Sequence, residues 1–444
     1  MTVSRTICLG FLFVIAVGTI LLMMPFATSS GTWNNLIVAL FTSTSAVCVT
    51  GLAVVDTGTY FSFWGQFILV ALVQIGGLGY MTATTFLLLL LGGKFRLKDK
   101  VAIQQALDRT EMNDSAQLIR SIIALTLIFE ITGIFLLLPA FVPKYGLDQG
   151  LWLAIFHSIN SWNNAGFSLF KDNLIGYQTS ILVNLVVTLL IIFGGIGYQV
   201  IFEMYLWGRD RLQRKKTWIV FSLDFKVAIS TTLILLVIGT IVIFFIELRN
   251  PETIAQVSFQ DKLLIAWFQS VVPRTAGFNT IDIGKMTNAG LFFIIALMFI
   301  GACPGGTGGG IKTTTLRVLT SCTKAILQGK EEVLLYQRRI SVALILKAVG
   351  VLIGSVATVI IATILIALSD PELDFIQILF ETVSAFATVG LSTGITGSVS
   401  AFAKLVLVVT MYVGRVGVLL LMSAMLGDPR PSSIHYPEEN LLVG

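Results

Sequence analysis

The chain has 444 residues, 55% of them hydrophobic and only 12% charged, a balance far from that of soluble domains, in which about a quarter of the residues are charged. Two histidines, His157 and His435, and four cysteines, Cys8, Cys48, Cys303 and Cys322, lie too far apart for a metal centre, a catalytic relay or a disulfide framework, so no constellation supports an enzyme. The formal net charge of +5 is concentrated in a few connections, where it reports topology and gives a nucleic-acid partner little support.

Mostly apolar segments lie near 7–26, 64–91, 118–142, 180–207, 227–247, 289–302 continuing through a glycine run to about 328, 340–368 and 401–426. Each is long enough to cross roughly 30 Å of hydrocarbon as a helix, which predicts eight spans. The first, after Arg5, also has the look of a signal peptide. About 20 apolar residues exceed a usual signal core, however, and removal would deprive the first repeat of its opening helix, so it is kept as a span.

Between the paired spans, four segments line up on glycines 51, 166, 277 and 390: ALFTSTSAVCVTGL, AIFHSINSWNNAGF, AWFQSVVPRTAGF and ILFETVSAFATVGL. Ten residues before each glycine stands an aromatic (Phe41, Phe156, Trp267, Phe380), and a bulky apolar residue follows it (Leu52, Phe167, Phe278, Leu391). The glycines recur at about 110 residues, a long internal repeat. It divides the chain into 1–92, 93–207, 208–328 and 329–426, with a tail 427–444 as a candidate dimer contact.

Each aligned segment holds an apolar run of about 13 residues, too short to cross, which predicts a re-entrant half-helix. A helix that stops at mid-membrane aims the negative end of its dipole there, and four such ends favour a cation. For carbonyls beyond each helix to face a common axis, one residue has to adopt angles that side chains disfavour, a role for glycine. The expected quarters of a cation filter are Val49, Thr50 and Gly51; Asn164, Ala165 and Gly166; Thr275, Ala276 and Gly277; and Thr388, Val389 and Gly390. One glycine per quarter, against two in T-V-G-Y-G channels, predicts fewer ion sites and weaker discrimination.

The basic residues follow the second span of each repeat: Lys94, Arg96, Lys98, Lys100, Arg109 and Arg120; Arg209, Arg211, Arg214, Lys215, Lys216 and Lys226; Lys312, Arg317, Lys324, Lys330, Arg338, Arg339 and Lys347. The motif-bearing connections hold only Lys144, Lys171, Arg249, Lys262, Arg274 and Lys285. By the positive-inside rule the motifs open outward and both termini are cytoplasmic. The basic linkers 92–117 and 208–225 are either solvated membrane-surface faces or a docking surface for a cytosolic subunit.

Glycines recur in the middle of the second spans, at Gly76, Gly77 and Gly79, at Gly194, Gly195 and Gly197, and at Gly414 and Gly417; close helix packing is the expected reason. The third repeat departs with FIGACPGGTGGGIKTTTLR, in which Pro304 and six glycines predict two half-helices around a pore-lining loop. A phosphate-binding loop has to be weighed here, because glycines precede Lys312 and Thr313, but Ile311 occupies the position that the motif reserves for glycine and no strand precedes it. Arg415 stands among apolar residues in the last span, where a charge is costly. It either pairs with Glu130 or faces the pore, its hydrogen bonds taken by carbonyls of the glycine run. Arg274, expected near the outer face, either braces the filter loops or adjusts the local field.

With these motifs the chain resembles, over essentially its full length, the superfamily of Trk, Ktr and HKT potassium transporters, and within it the membrane subunits of bacterial Ktr systems. The resemblance implies an all-α membrane fold of four helix–pore loop–helix units, K+ held by the filter carbonyls, and a gating loop of Gly305, Gly306, Thr307, Gly308, Gly309, Gly310 and Lys312 working with Arg415. It also implies a homodimer in the lipid bilayer, a cytosolic KtrA-like ring that binds ATP or ADP while this chain binds no nucleotide, and Na+ as a regulator. Some plant members carry serine at the position of Gly51, so glycine there predicts a potassium preference. Broken helices and internal repeats also fit an ion-coupled secondary transporter.

Overall fold

A computed structural model describes residues 3–79, 115–213 and 220–427. Outside these lie the second half of the expected span 64–91, most of the linker 92–117, Arg214, Lys215 and Lys216, the tail beyond residue 427, and His435.

Four long apolar helices open the four repeats: α1 (Val3–Met23), α5 (Ser115–Tyr145), α9 (Leu223–Glu247) and α13 (Val342–Ser369). Each is followed by a shorter one: α2 (Leu36–Val47), α6 (Leu147–Trp162), α10 (Phe259–Val271) and α14 (Phe375–Phe386). These short helices are the expected half-helices, and Asn35 and Ser258 cap α2 and α10 through side-chain oxygens. A single turn, α3 (Thr57–Tyr60), precedes the closing helix of the first repeat, α4 (Phe63–Leu78). The other closing helices come in pairs: α7 (Ile181–Ile196) with α8 (Tyr198–Leu212), α11 (Asn288–Phe299) with α12 (Thr313–Leu327), and α15 (Ala401–Val416) with α16 (Val418–Leu426). Between α12 and α13 a hairpin pairs β1 (Leu334–Leu335) with β2 (Arg338–Arg339), its two turn residues Tyr336 and Gln337 both at positive φ.

The packing repeats. α1 lies against α2 and α4, α5 against α6 and α7, α9 against α10 and α11, and α13 against α14 and α15. Each closing helix also touches the short helix of the following repeat: α4 meets α6, α7 meets α10, α11 meets α14, and α15 returns to α2. The chain thereby closes a ring of four units.

The closing spans depart from expectation. Straight helices over 180–207 and 401–426 are replaced by pairs bent by 104° and 93°. The bends fall at Gly197 (φ 98°, ψ 139°) and Gly417 (φ 89°, ψ 137°), and α4 stops at Gly79 (φ 77°, ψ 132°). Only glycine enters this region readily. Helices of 16 residues such as α7 and α15 reach about 24 Å, short of a full crossing. Close packing does explain the earlier glycines: a side chain at Gly76, Gly194 or Gly414 would run into the carbonyl oxygen of Val47, Trp162 or Phe386, at the end of the same repeat's short helix. The glycines thus divide into those that seat a helix end and those that break a helix.

Candidate functional site

The backbone beyond each short helix follows one pattern. Val49, Asn164, Thr275 and Thr388 have φ of 58°, 59°, 67° and 51°, and Gly51, Gly166, Gly277 and Gly390 have φ of 92°, 72°, 69° and 92°, while the residue between each pair stays at ordinary φ. Alternating handedness turns successive N–H groups to one side and carbonyls to the other. The N–H groups face the short helices: Thr50 N donates to Ser45 O (2.7 Å), Ala165 N to Asn160 O (2.8 Å), Ala276 N to Val272 O (3.0 Å) and Val389 N to Ser384 O (2.8 Å). Gly51 N and Gly390 N donate to the hydroxyls of Ser45 and Ser384, both at 3.1 Å. Among the described residues no protein donor takes the carbonyls of Thr50, Ala165, Ala276 or Val389.

Those carbonyls form a closed circuit. A side chain at Gly51 would strike Ala165 O, at Gly166 it would meet Ala276 O at 2.6 Å, at Gly277 Val389 O at 2.5 Å, and at Gly390 it would strike Thr50 O. Each glycine therefore lies against the carbonyl of the next quarter, and the fourth against the first. Four helix C-termini and a ring of carbonyls without protein donors make a negative annulus, chemically fit to replace the water of a cation. The twelve residues of the four expected quarters lie in these segments, every one of them buried; the ring contacts are made by the glycines and the carbonyls just before them.

Side chains behind the ring hold its return segments. The fully buried Glu381, on α14, accepts from Ser392 Oγ, Thr393 N (2.9 Å) and Thr396 Oγ1 (2.9 Å). His157 on α6 bridges Leu153 O (2.8 Å) and Ser168 Oγ (3.0 Å). Both stand nine residues before their filter glycine and both reach a serine two residues after it. That matched spacing is the sequence signal that marks both residues.

The glycine run of the third repeat forms a loop across one face of the ring. Its ends are joined by a parallel bridge between Ile300 and Ile311, with Gly301 N donating to Ile311 O at 2.8 Å. Gly309 N donates to Thr388 Oγ1 (3.0 Å), and a side chain at Gly308 would collide with Thr275 Oγ1. Gly305 O accepts from Tyr198 N (3.2 Å), Thr307 N donates to Gly194 O (3.2 Å), and Lys312 Nζ donates to Gly308 O (2.7 Å). Gly306 packs on Gly195 O and Gly310 on Ala387. Beyond the loop lies a cavity of about 560 Å³, lined among others by Gly79, Tyr198, Lys312, Lys347 and Arg415.

Arg415 spans this arrangement: one terminal nitrogen donates to Thr307 O in the loop and the other to Gly76 O on α4. The carbonyl of Gly76 is thus a second acceptor outside the glycine run. Glu130 is not its partner. That carboxylate accepts from Asn163 Nδ2 at 3.2 Å, and among the described residues no ion pair reaches it. Arg274 lies just past the end of α10, buried, and donates to Thr232 Oγ1 on α9 (3.2 Å). With Ala302 it lines a void of about 10 Å³, so it sits beside the glycine loop and ties α9 to the end of α10.

Fold and site define a multi-pass helical membrane protein built around a four-part carbonyl ring suited to a cation. The chain belongs to the TrkH family of cation transport proteins, which it matches over residues 8–434. It is 38% identical over 444 residues, all of this chain and 97% of the relative, to the Ktr system potassium uptake protein B of Bacillus subtilis. It is 36% identical over 445 residues to the potassium/sodium uptake protein NtpJ of Enterococcus hirae, covering 99% of this chain and 97% of that one. The crystal structure of the potassium transporter TrkH from Vibrio parahaemolyticus shares the fold, with a TM-score of 0.72 at 20% identity, over 95% of this chain and 85% of the other.

Proposed function

We propose that this chain takes up K+ across the cell membrane through the carbonyl ring, in a channel-like manner, with the glycine loop and Arg415 as the gate. The observation that carries the reading is the closed circuit in which each of Gly51, Gly166, Gly277 and Gly390 abuts a carbonyl of the next quarter. Repeats bounded at 1–92, 93–207, 208–328 and 329–426 each supply one quarter. The filter side faces outward and both termini face the cytoplasm, in keeping with the distribution of Lys and Arg. The chain works as a homodimer on a cytosolic, KtrA-like ring that binds ATP or ADP, with Na+ as a regulator; the kinship with a Ktr system protein supports this part.

Gly51→Ser tests the ring. Serine at φ 92° costs about 1–2 kcal/mol in backbone energy alone, and its Cβ strikes Ala165 O, so the first quarter has to move. Uptake of K+ and Na+ into liposomes holding the purified chain should show a lower K+/Na+ ratio for the variant. An unchanged ratio would sink the assignment of the ring as the selective element. The name of the Enterococcus relative, a potassium/sodium uptake protein, keeps ion-coupled transport as a second reading; there K+ flux would stay in fixed stoichiometry with another ion, whereas pore-like flux follows the membrane potential.

A further inference from the structure

Glu130 lies midway along α5, only 4% exposed, within a helix long and apolar enough to span a membrane. A carboxylate in such a place needs a compensating positive charge or a proton. Arg415 is engaged elsewhere, and among the described residues no cationic side chain forms an ion pair with Glu130. What faces it is neutral: the side-chain amides of Gln74 and Asn163 both hydrogen-bond to the carboxylate. Asn163 Nδ2 lies 3.2 Å from Glu130 Oε1, 2.8 Å from Gln74 Oε1 and 2.9 Å from Ile159 O.

Three acceptors thus converge on one amide nitrogen that carries two hydrogens. The other end of the same amide, Asn163 Oδ1, is buried without a hydrogen-bond partner, as is the hydroxyl of Thr126 on α5. Turning the Asn163 amide over would bring Oδ1 among Glu130 Oε1, Gln74 Oε1 and Ile159 O, an all-oxygen cluster of the kind hard cations take. One carboxylate balances one charge, which favours a monovalent ion over a divalent one.

We propose that Glu130, Asn163, Gln74 and Ile159 O form a site for a monovalent alkali cation, separate from the conduction ring. Its place allows it to act on both filter and gate. Asn163 directly precedes Asn164 of the ring, and its Oδ1 presses on Gly77, next to the Gly76 whose carbonyl holds Arg415. An ion that reorients Asn163 would therefore bear on the second filter quarter and on one anchor of Arg415. The regulatory sense of the site rests on the proposed transport function; its occupancy does not.

Occupancy is measured apart from flux. Trp162 adjoins Asn163 and stacks on Phe129, with ring centroids 4.6 Å apart, so tryptophan emission of the purified full chain reports on the site. In choline chloride, titration with NaCl or KCl at constant ionic strength should give a saturable change, and the ion that gives it at lower concentration identifies the occupant. The saturable component should be lost in Glu130→Gln and weakened in Gln74→Met, which leaves the carboxylate in place and keeps the test open if the first variant does not fold. Identical titrations in wild type and both variants would overturn the proposal, as would a response to pH alone, which assigns a proton to the carboxylate.

Discussion

Replacing Arg415 by alanine should open the pathway. The guanidinium donates to Thr307 O on the loop and to Gly76 O on α4, and each bond from a charged donor is worth about 1.5–3 kcal/mol. Their sum is an upper bound, because water reaches some of the freed carbonyls and the two bonds share one rigid group. Taking the lower end, about 3 kcal/mol, the closed-to-open ratio falls by roughly 10²-fold at 1.4 kcal/mol per tenfold. Lysine is a single point donor on a flexible stem and cannot bridge both carbonyls, so Arg415→Lys should fall between alanine and wild type. The assay is rubidium tracer uptake into liposomes containing the full chain without a cytosolic partner. Deleting residues 306–310 removes Thr307 from the other side of the same contact and should also raise flux. Uptake by Arg415→Ala and by the deletion no faster than wild type, with both proteins monodisperse, would refute the lock.

Gly309→Ala places a methyl against Thr388 Oγ1, so the loop has to withdraw from the ring. Faster tracer uptake at an unchanged K+/Na+ ratio is expected; a changed ratio at unchanged rate would mean that the filter yields and the loop does not. Gly417→Ala meets no neighbour within 4 Å but must adopt φ 89°, which costs about 1–3 kcal/mol. Gly197→Ala bears the same strain and also strikes Pro304 O at 2.5 Å, so it should melt lower than Gly417→Ala in a thermal unfolding series. Equal melting of both variants and wild type would show that the bends are not glycine-dependent.

The four-part ring was legible because the pattern occurs four times, and aligned copies separate a glycine with a shared backbone role from an ordinary turn. The left-handed residues two positions earlier were not legible. Nothing in the identity of Val49 or Thr388 predicts φ above 50°, which a β-branched residue adopts only when surrounding contacts impose it. Which of the two readings of Arg415 holds, pairing with Glu130 or reaching the glycine run, was not legible for a related reason. Hydropathy assigns depth in the membrane but not the direction a residue faces around the ring, and Glu130 turns to the second filter quarter while Arg415 turns to the loop. The bends at Gly197 and Gly417 were hidden behind glycines a few residues earlier, because both roles ask for the same residue type.

The third repeat differs from the others at one structural position. In the first, second and fourth, the glycine some 25 residues after the filter glycine (Gly76, Gly194, Gly414) receives the end of its own short helix. In the third, Gly301 faces Gly309 O, a carbonyl of the inserted loop. The insertion thus begins where the other spans make their tightest packing, and the Ile300–Ile311 bridge joins its ends. A loop with joined ends can move its middle without separating α11 from α12. In the proposed gating, movement would be confined to the residues that contact Thr275, Thr388 and Arg415, and the ring would be covered or cleared without unpacking the helices that hold it.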